Sequence, residues 1–151
     1  KYYRMMLKKI GINDNEKNLF PLIDELLFLM NKMDMDFTNT FWYLSVEKKS
    51  KNQLSSCSDF TEWKKKWYNC INTTSSLNEA KNLMRKNNPV VIPRNNLVDD
   101  AIKKAVNGNT APFNRLLKIF STPYQYQEGL NKFMKPPEKK FEECFQTYCG
   151  T

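Results

Sequence analysis

Apolar side chains recur every three to four positions in six stretches of this chain, most of them bounded by a residue suited to a helix end. In the first, Leu19, Leu22, Ile23, Leu26, Leu29, Met30 and Met33 fall at helical spacing, widened by Phe20, Leu27 and Phe28. A helix apolar on most sides belongs in the centre of a packed unit, and Pro21 suits its first turn, where a missing amide costs nothing. Asp36 then caps a second helix lined by Phe37, Phe41 and Leu44. Asp59 is the expected cap of a third, with Glu62 three residues on and Phe60, Trp63, Trp67 and Ile71 on one side. Ser76 and Glu79 repeat that spacing ahead of Leu77, Ala80, Leu83 and Met84. That helix ends before Asn88-Pro89, because the residue before proline disfavours helical geometry. Leu97, Val98, Ala101, Ile102, Ala105 and Val106 form the next stripe, closed by Gly108. Thr110 and Pro112 open the last, with Phe113, Leu116, Leu117 and Phe120 expected inward.

The segment before Leu19 and the segments between these stripes are less regular. Tyr2 to Ile10 reads as the end of a helix already under way. Lys48 to Ser58 is polar and without period, which reads as a solvated loop; beyond Pro123 come short turns, aromatic side chains and Pro136-Pro137. Only Val90-Val91-Ile92 looks extended, and Pro89 and Pro93 bracket it too tightly for a central strand. The pattern therefore predicts an all-α fold, a single helical domain of about seven to nine helices without internal repeats. Leu22, Leu26, Met30, Phe41, Trp63, Trp67, Leu83, Ala101, Ile102 and Leu116 are its expected buried positions.

Composition supports a packed core. The chain has 151 residues, 40% of them hydrophobic and 13% aromatic, which is too apolar for a disordered tail. Its longest apolar run, Leu26 to Met30, is far shorter than the roughly 18–20 residues needed to span a bilayer, so no membrane role is expected. It begins at Lys1 rather than Met, which reads as a piece of a longer protein.

Charge changes the picture less than its size suggests. The net +8 comes from 24 Lys and Arg against 16 acids, but the cations are dispersed and arginine is scarce. Bidentate reading of phosphate and guanine favours arginine, so the pattern argues against a nucleic-acid partner. Trp42, Tyr43, Trp63, Trp67 and Tyr68 are the residue types that stack on bases, yet their spacing beside Phe and Leu is that of a core.

The absence of histidine excludes Ser-His-Asp and Cys-His nucleophile pairs and histidine-ligated zinc. Cys57, Cys70, Cys144 and Cys149 are separated by 13, 74 and 5 residues, without the close pairs a cysteine zinc site uses. Isolated Gly11, Gly108, Gly129 and Gly150 build no phosphate-cradling loop. Asp24-Glu25, Asp99-Asp100 and Glu142-Glu143 are adjacent pairs, whose side chains diverge on a helix rather than converging on a metal. No catalytic, cofactor-binding or metal-binding set is expected within these residues.

Two features remain as candidates. The loop containing Asn88, Pro89, Pro93, Arg94 and Asn95 is a structural or interdomain element. In it Arg94 either reaches a carboxylate or phosphate elsewhere in a longer protein, or satisfies free carbonyls at a helix end, while Asn95 or Asn96 caps the Leu97 helix. Cys149, third from the end, is the redox candidate, since a thiol near a free terminus is open to exchange chemistry. The other three cysteines read as ordinary small side chains in a reducing compartment.

Taken in order, these segments resemble a known family. Residues 88–102, Tyr148-Cys149-Gly150-Thr151, Leu26-Leu27 through Met30, Asp36-Phe37-Thr38-Asn39-Thr40-Phe41, Leu44-Ser45 and Pro136-Pro137 are similar to the carboxyl-terminal region of the selenoprotein O, or YdiU, family. Those proteins are kinase-like and transfer AMP from ATP to protein hydroxyls. The resemblance implies that residues 1–151 are the carboxyl-terminal helical region of such a protein, with the kinase-like lobes of the same chain upstream. ATP and magnesium would bind there, and Ser, Thr or Tyr of other proteins would be the substrates. The family's catalytic lysine, its metal-binding Asp and Asn and its nucleotide loops have no counterparts here. At the position of Cys149 some members carry selenocysteine and others cysteine, and many end Cys-Ser-Ser where this chain ends Cys-Gly-Thr. The resemblance suggests a disulfide from this thiol to the catalytic lobes; a local Cys144–Cys149 bridge is the alternative within these residues. It also implies a cytoplasmic location for a bacterial protein and a mitochondrial one for a eukaryotic protein. Two other classes stay open on the residues alone: a free-standing helical protein-interaction module and a basic nucleic-acid-binding domain.

Overall fold

A computed structural model describes residues 1–13, 16–46 and 57–146. Among them are nine α-helices and one 3-10 turn, with no strand. The helices are α1 (Tyr2–Lys9), α2 (Phe20–Lys32), α3 (Phe37–Val46), α4 (Ser58–Thr74) and α5 (Leu77–Asn87), then α6 (Asn95–Val106), α7 (Ala111–Phe120), α8 (Asn131–Met134) and α9 (Lys139–Cys144). The all-α class expected from periodicity holds. The chain gathers into two compact units, Lys1–Val90 and Val91–Thr151, a division that the helical pattern does not mark.

The first unit holds a contiguous apolar core. Helix α4 lies against α2, α3 against α5, and α1 against both α2 and α5. Met6, Leu7, Ile10 and Ile12 meet Leu22, Ile23, Leu26, Leu29 and Met30 of α2, and Phe60, Trp63, Trp67 and Ile71 of α4 complete the cluster with Phe41, Leu44, Ala80 and Met84. Both α4 tryptophans are fully buried and stacked 5.8 Å apart. A buried indole N–H needs an acceptor. Trp63 Nε1 donates to the Leu22 carbonyl of α2 at 2.8 Å, and Trp67 Nε1 to the Ile10 carbonyl at the end of α1 at 2.7 Å. The same rings thus fill the core and tie α4 to two other helices. Lys32–Asp59 and Lys66–Glu25, each 2.9 Å, also link α2 with α4, but they are exposed and add little.

Local signals set most of the boundaries. Asp36 Oδ1 accepts the Asn39 amide at 2.8 Å, as a cap should. At the start of α5 the Ser76 side chain accepts the Glu79 amide, while the Glu79 carboxylate accepts the Ser76 amide at 2.8 Å, a complete capping box. Those bonds, first the backbone N–H and then the hydroxyl of Ser76, hold the Glu79 carboxyl below its ordinary value. A depressed carboxyl stabilises the fold above its unfolded value, and the contribution is lost as pH falls through the folded one. Ser76→Ala is expected to lower the thermal midpoint by about 2–5 °C at neutral pH. The advantage of wild type over Glu79→Gln should vanish in acid. Melting curves at neutral and acid pH check both, and an unmoved midpoint for Ser76→Ala at neutral pH would show the box to be inert.

Several expectations need correction. Asp59 does not cap α4: the helix starts at Ser58 with Cys57 at the cap, and Asp59 sits inside the first turn as the partner of Lys32. Phe28 is 66% exposed, because its position on α2 falls on the side away from α4 and α1. Ile102, placed inward by its stripe, is 48% exposed; Phe113 and Leu117, also expected inward, are exposed on α7; and Leu83 is half-buried. The remaining eight expected core positions, Leu22, Leu26, Met30, Phe41, Trp63, Trp67, Ala101 and Leu116, are buried. The polar stretch from Lys48 to Ser58 falls largely outside the described residues.

The second unit is smaller and its buried apolar set shorter: Val91, Ala101, Leu116, Leu130, Phe133 and Met134. Helices α6 and α7 pack as a hairpin. Gly108, at φ 87°, ends α6 in the left-handed region, with its amide on the Ala105 carbonyl (2.9 Å) and the Asn109 amide on that of Lys104 (2.9 Å). Thr110 then stands at the cap of α7 and Pro112 in its first turn, as the sequence predicts.

Candidate functional site

The candidate loop follows directly from α5, and each of its polar residues has a definite place. Asn88 is almost fully buried in the first unit. Its Nδ2 donates to the Lys9 carbonyl at 2.7 Å, and its Oδ1 accepts from Lys9 Nζ at 3.4 Å. Lys9 Nζ also donates to the Asn87 carbonyl at 3.0 Å and lies 5.8 and 5.6 Å from the ring centres of Phe37 and Phe41. The ammonium is therefore held by carbonyl oxygens and ring faces, and burial pushes it below its ordinary value. Lys9 is the residue that sequence reasoning missed. A lysine in the last turn of a helix reads as solvated, and nothing in its neighbours signals the long-range pairing with Asn88.

Pro89 is half-buried, Val90 and Val91 are buried, and Pro93 is exposed. The backbone here is extended but joins no sheet, as the two prolines require. Arg94 is only 7% exposed, and its Nη2 donates to the Met134 carbonyl, the last of α8, at 3.0 Å. A helix-end carbonyl lacks an intrahelical partner, and the guanidinium supplies one. Of the two roles open to Arg94, this geometry carries the helix-end one within the second unit. Arg94 is also the N-cap of α6 through its backbone, its carbonyl accepting Leu97 N at 3.0 Å and Val98 N at 3.1 Å. The expectation that Asn95 or Asn96 caps a helix at Leu97 is thus corrected. The helix starts two residues earlier, both asparagines lie in its first turn, and no side chain caps it.

Within the second unit Arg94 and Asn95 border an open hollow of about 410 Å³, with Ile92, Pro93, Pro137, Phe141, Glu142 and Phe145 around it. Two prolines, two phenylalanines and Ile92 line it beside Asn95, and its charges are one guanidinium and one carboxylate. That donor set does not fit a nucleotide triphosphate with magnesium, which needs several cations or backbone amides for the phosphates and convergent carboxylates for the metal. Among the described residues no three acidic, cysteine or histidine side chains gather to hold a metal ion. No described helix is long and apolar enough to cross a membrane.

Of the cysteines, Cys57 and Cys70 are half-buried in the first unit and Cys144 is exposed at the end of α9. Cys149, and with it the local Cys144–Cys149 bridge, lies outside the described residues. The structure brings the loop candidates into two separate sets: Asn88 with Lys9, and Arg94 with the end of α8.

Comparison with known proteins places this helical array. The sequence model of the family described as protein adenylyltransferase SelO matches residues 1–121. The chain is 38% identical over 151 residues to a protein nucleotidyltransferase YdiU of Clostridium perfringens, an alignment covering 99% of this chain and 31% of the relative. It is 35% identical over 152 residues to the YdiU protein of Pelagibacter ubique, covering 100% of this chain and 31% of that one. A Bacillus cereus YdiU protein is 34% identical over 148 residues, 97% of this chain and 30% of the relative. The chain thus spans about 31% of the length of the curated relatives it matches. A family match over four-fifths of the chain, on an all-helical array, makes it a member of the SelO family of protein adenylyltransferases.

Proposed function

We propose that these residues are the carboxyl-terminal helical part of a bacterial, cytoplasmic protein adenylyltransferase, and that the active site belongs to polypeptide outside them. The single observation that carries this is the family match combined with a span of only 31% of each relative. In the complete protein, ATP and magnesium would be held by the kinase-like lobes of the same chain. A Ser, Thr or Tyr hydroxyl of a substrate protein attacks the α-phosphorus, pyrophosphate leaves, the hydroxyl proton is lost, and AMP remains joined through a phosphodiester. The isolated glycines and diverging acidic pairs of residues 1–151 support placing that chemistry outside them. Their proposed part is to brace the catalytic lobes. Cys149 is proposed as a redox-active thiol in the complete protein, pairing with a cysteine of those lobes.

The test compares two proteins with ATP labelled at the α-phosphate and magnesium. The full-length protein should transfer label to protein hydroxyls, and the 151-residue chain should neither transfer label nor bind ATP at micromolar concentration. Micromolar binding by the 151-residue chain would overturn the placement of the site. Absence of transfer by an active-site-intact full-length protein, across protein substrates and itself, would count against the activity.

A further inference from the structure

The second unit leaves one apolar face uncovered. On α6, Ile102 is 48% exposed and Val106 81%; on α7, Phe113 is 39% and Leu117 56% exposed. Single exposed hydrophobics are ordinary. These four are two i,i+4 pairs on two helices packed against each other, which is not scatter.

Their direction follows from helix geometry. Ala101 and Leu116 are the buried residues of α6 and α7. Ile102 and Leu117 each come one residue later, a turn of about 100° in the same sense. Since α6 and α7 pack on each other, these buried positions face across the hairpin, and in an antiparallel pair equal turns from facing positions carry both pairs to one side. Among the charged positions of α6, Lys103 pairs with Asp99 and Lys104 with Asp100 within the helix, both at 2.7 Å. Two parallel rows of i,i+4 side chains form the ridge-and-groove surface that receives another helix.

We propose that this face is the docking surface for the remainder of the full-length chain, the part that relatives carry beyond the aligned 31%. The proposal rests on reading these residues as one part of a longer adenylyltransferase. More than two-thirds of such a protein lies outside this chain, and covalent connection keeps it at high effective concentration near the hairpin. A contiguous exposed apolar face in a free-standing protein would instead invite self-association.

Thiol footprinting on the full-length protein tests it. Val106→Cys and Leu117→Cys are compared with Lys103→Cys, whose side chain is 73% exposed on α6. Maleimide reacts under native conditions, and mass mapping reads each engineered site separately from the native cysteines. All three changes are on the surface, and far-UV circular dichroism confirms retained helix. Labelling of Val106→Cys and Leu117→Cys at least roughly ten-fold slower than Lys103→Cys, unchanged on dilution, supports the intrachain face. Labelling of all three at comparable rates overturns it. Protection that disappears on dilution also overturns it, in favour of a second copy of the chain. AMP transfer is measured on the same full-length protein without substitutions. Transfer without protection sinks the docking surface alone, and protection without transfer sinks the proposed activity alone.

Discussion

Replacing Trp67 with alanine is expected to lower the stability of the Lys1–Val90 unit by about 3–5 kcal/mol, enough to unfold many small domains. The ring is fully buried, stacked against Trp63 at 5.8 Å and tilted against Tyr68 at 4.8 Å. Removing it opens a cavity at the point where α4 meets the end of α1. It also strips the Ile10 carbonyl of its indole donor at 2.7 Å, leaving a buried acceptor at a helix terminus. Trp67→Phe separates the two contributions, since it keeps much of the ring volume and loses the N–H. Its cost should lie clearly below that of alanine but above that of a volume-conserving swap. Urea unfolding followed by the fluorescence of the remaining tryptophans, Trp42 and Trp63, and by far-UV circular dichroism gives both values. A loss below about 1 kcal/mol for Trp67→Ala would mean that α4 is not the pin described here.

The same residues explain why so much of the first unit was legible in the sequence. Phe60, Trp63, Trp67 and Ile71 are spaced by three, four and four, so one face of α4 is apolar whatever surrounds it. Ser76 and Glu79 define their helix start by a bond pattern contained within four residues. Information of that kind is local. The indole bonds to Leu22 and Ile10, and the Lys9–Asn88 pairing across 79 positions, depend on which helices meet, and periodicity does not encode it.

The second unit shows the other limit. Ile102 and Val106 sit in a regular stripe with Ala101 and Ala105, and the stripe was read as uniformly inward. An apolar stripe records what must be kept from water in the working protein, not what a piece of that protein buries. Where the chain is about a third of its relatives' length, the two differ. The site followed the same rule. The family was visible in the order of short segments, whereas Arg94 turned to the end of α8 for a reason that only the fold supplies: an unsatisfied carbonyl at Met134. Asp59 lost its role as cap because α4 starts two residues further back than that cap implies, at Ser58, which places Asp59 inside the first turn.

Gly11 is the backbone counterpart of Trp67. It follows α1 at φ 83°, in the left-handed region, and its amide donates to the Lys8 carbonyl at 3.1 Å while Ile12 N reaches back to Leu7 at 2.9 Å. These bonds close the helix and turn the chain so that Ile10 and Ile12 both enter the core. A Cβ at this position would come within 2.9 Å of both the Cβ and the carbonyl oxygen of Ala80 on α5. Two penalties therefore add: a conformation that costs an L-residue about 1 kcal/mol or more, and a clash with backbone that cannot swing away. Gly11→Ala is expected to destabilise the first unit by about 2–4 kcal/mol through overpacking and strain together. Gly108→Ala is the control. Its φ is 87°, but nothing lies within 4 Å of the added Cβ, so only the conformational cost applies. Chemical denaturation of both variants should give a Gly11→Ala loss at least about twice that of Gly108→Ala. Equal losses would show that α1 and α5 are not in the close contact at Ala80 on which this core depends.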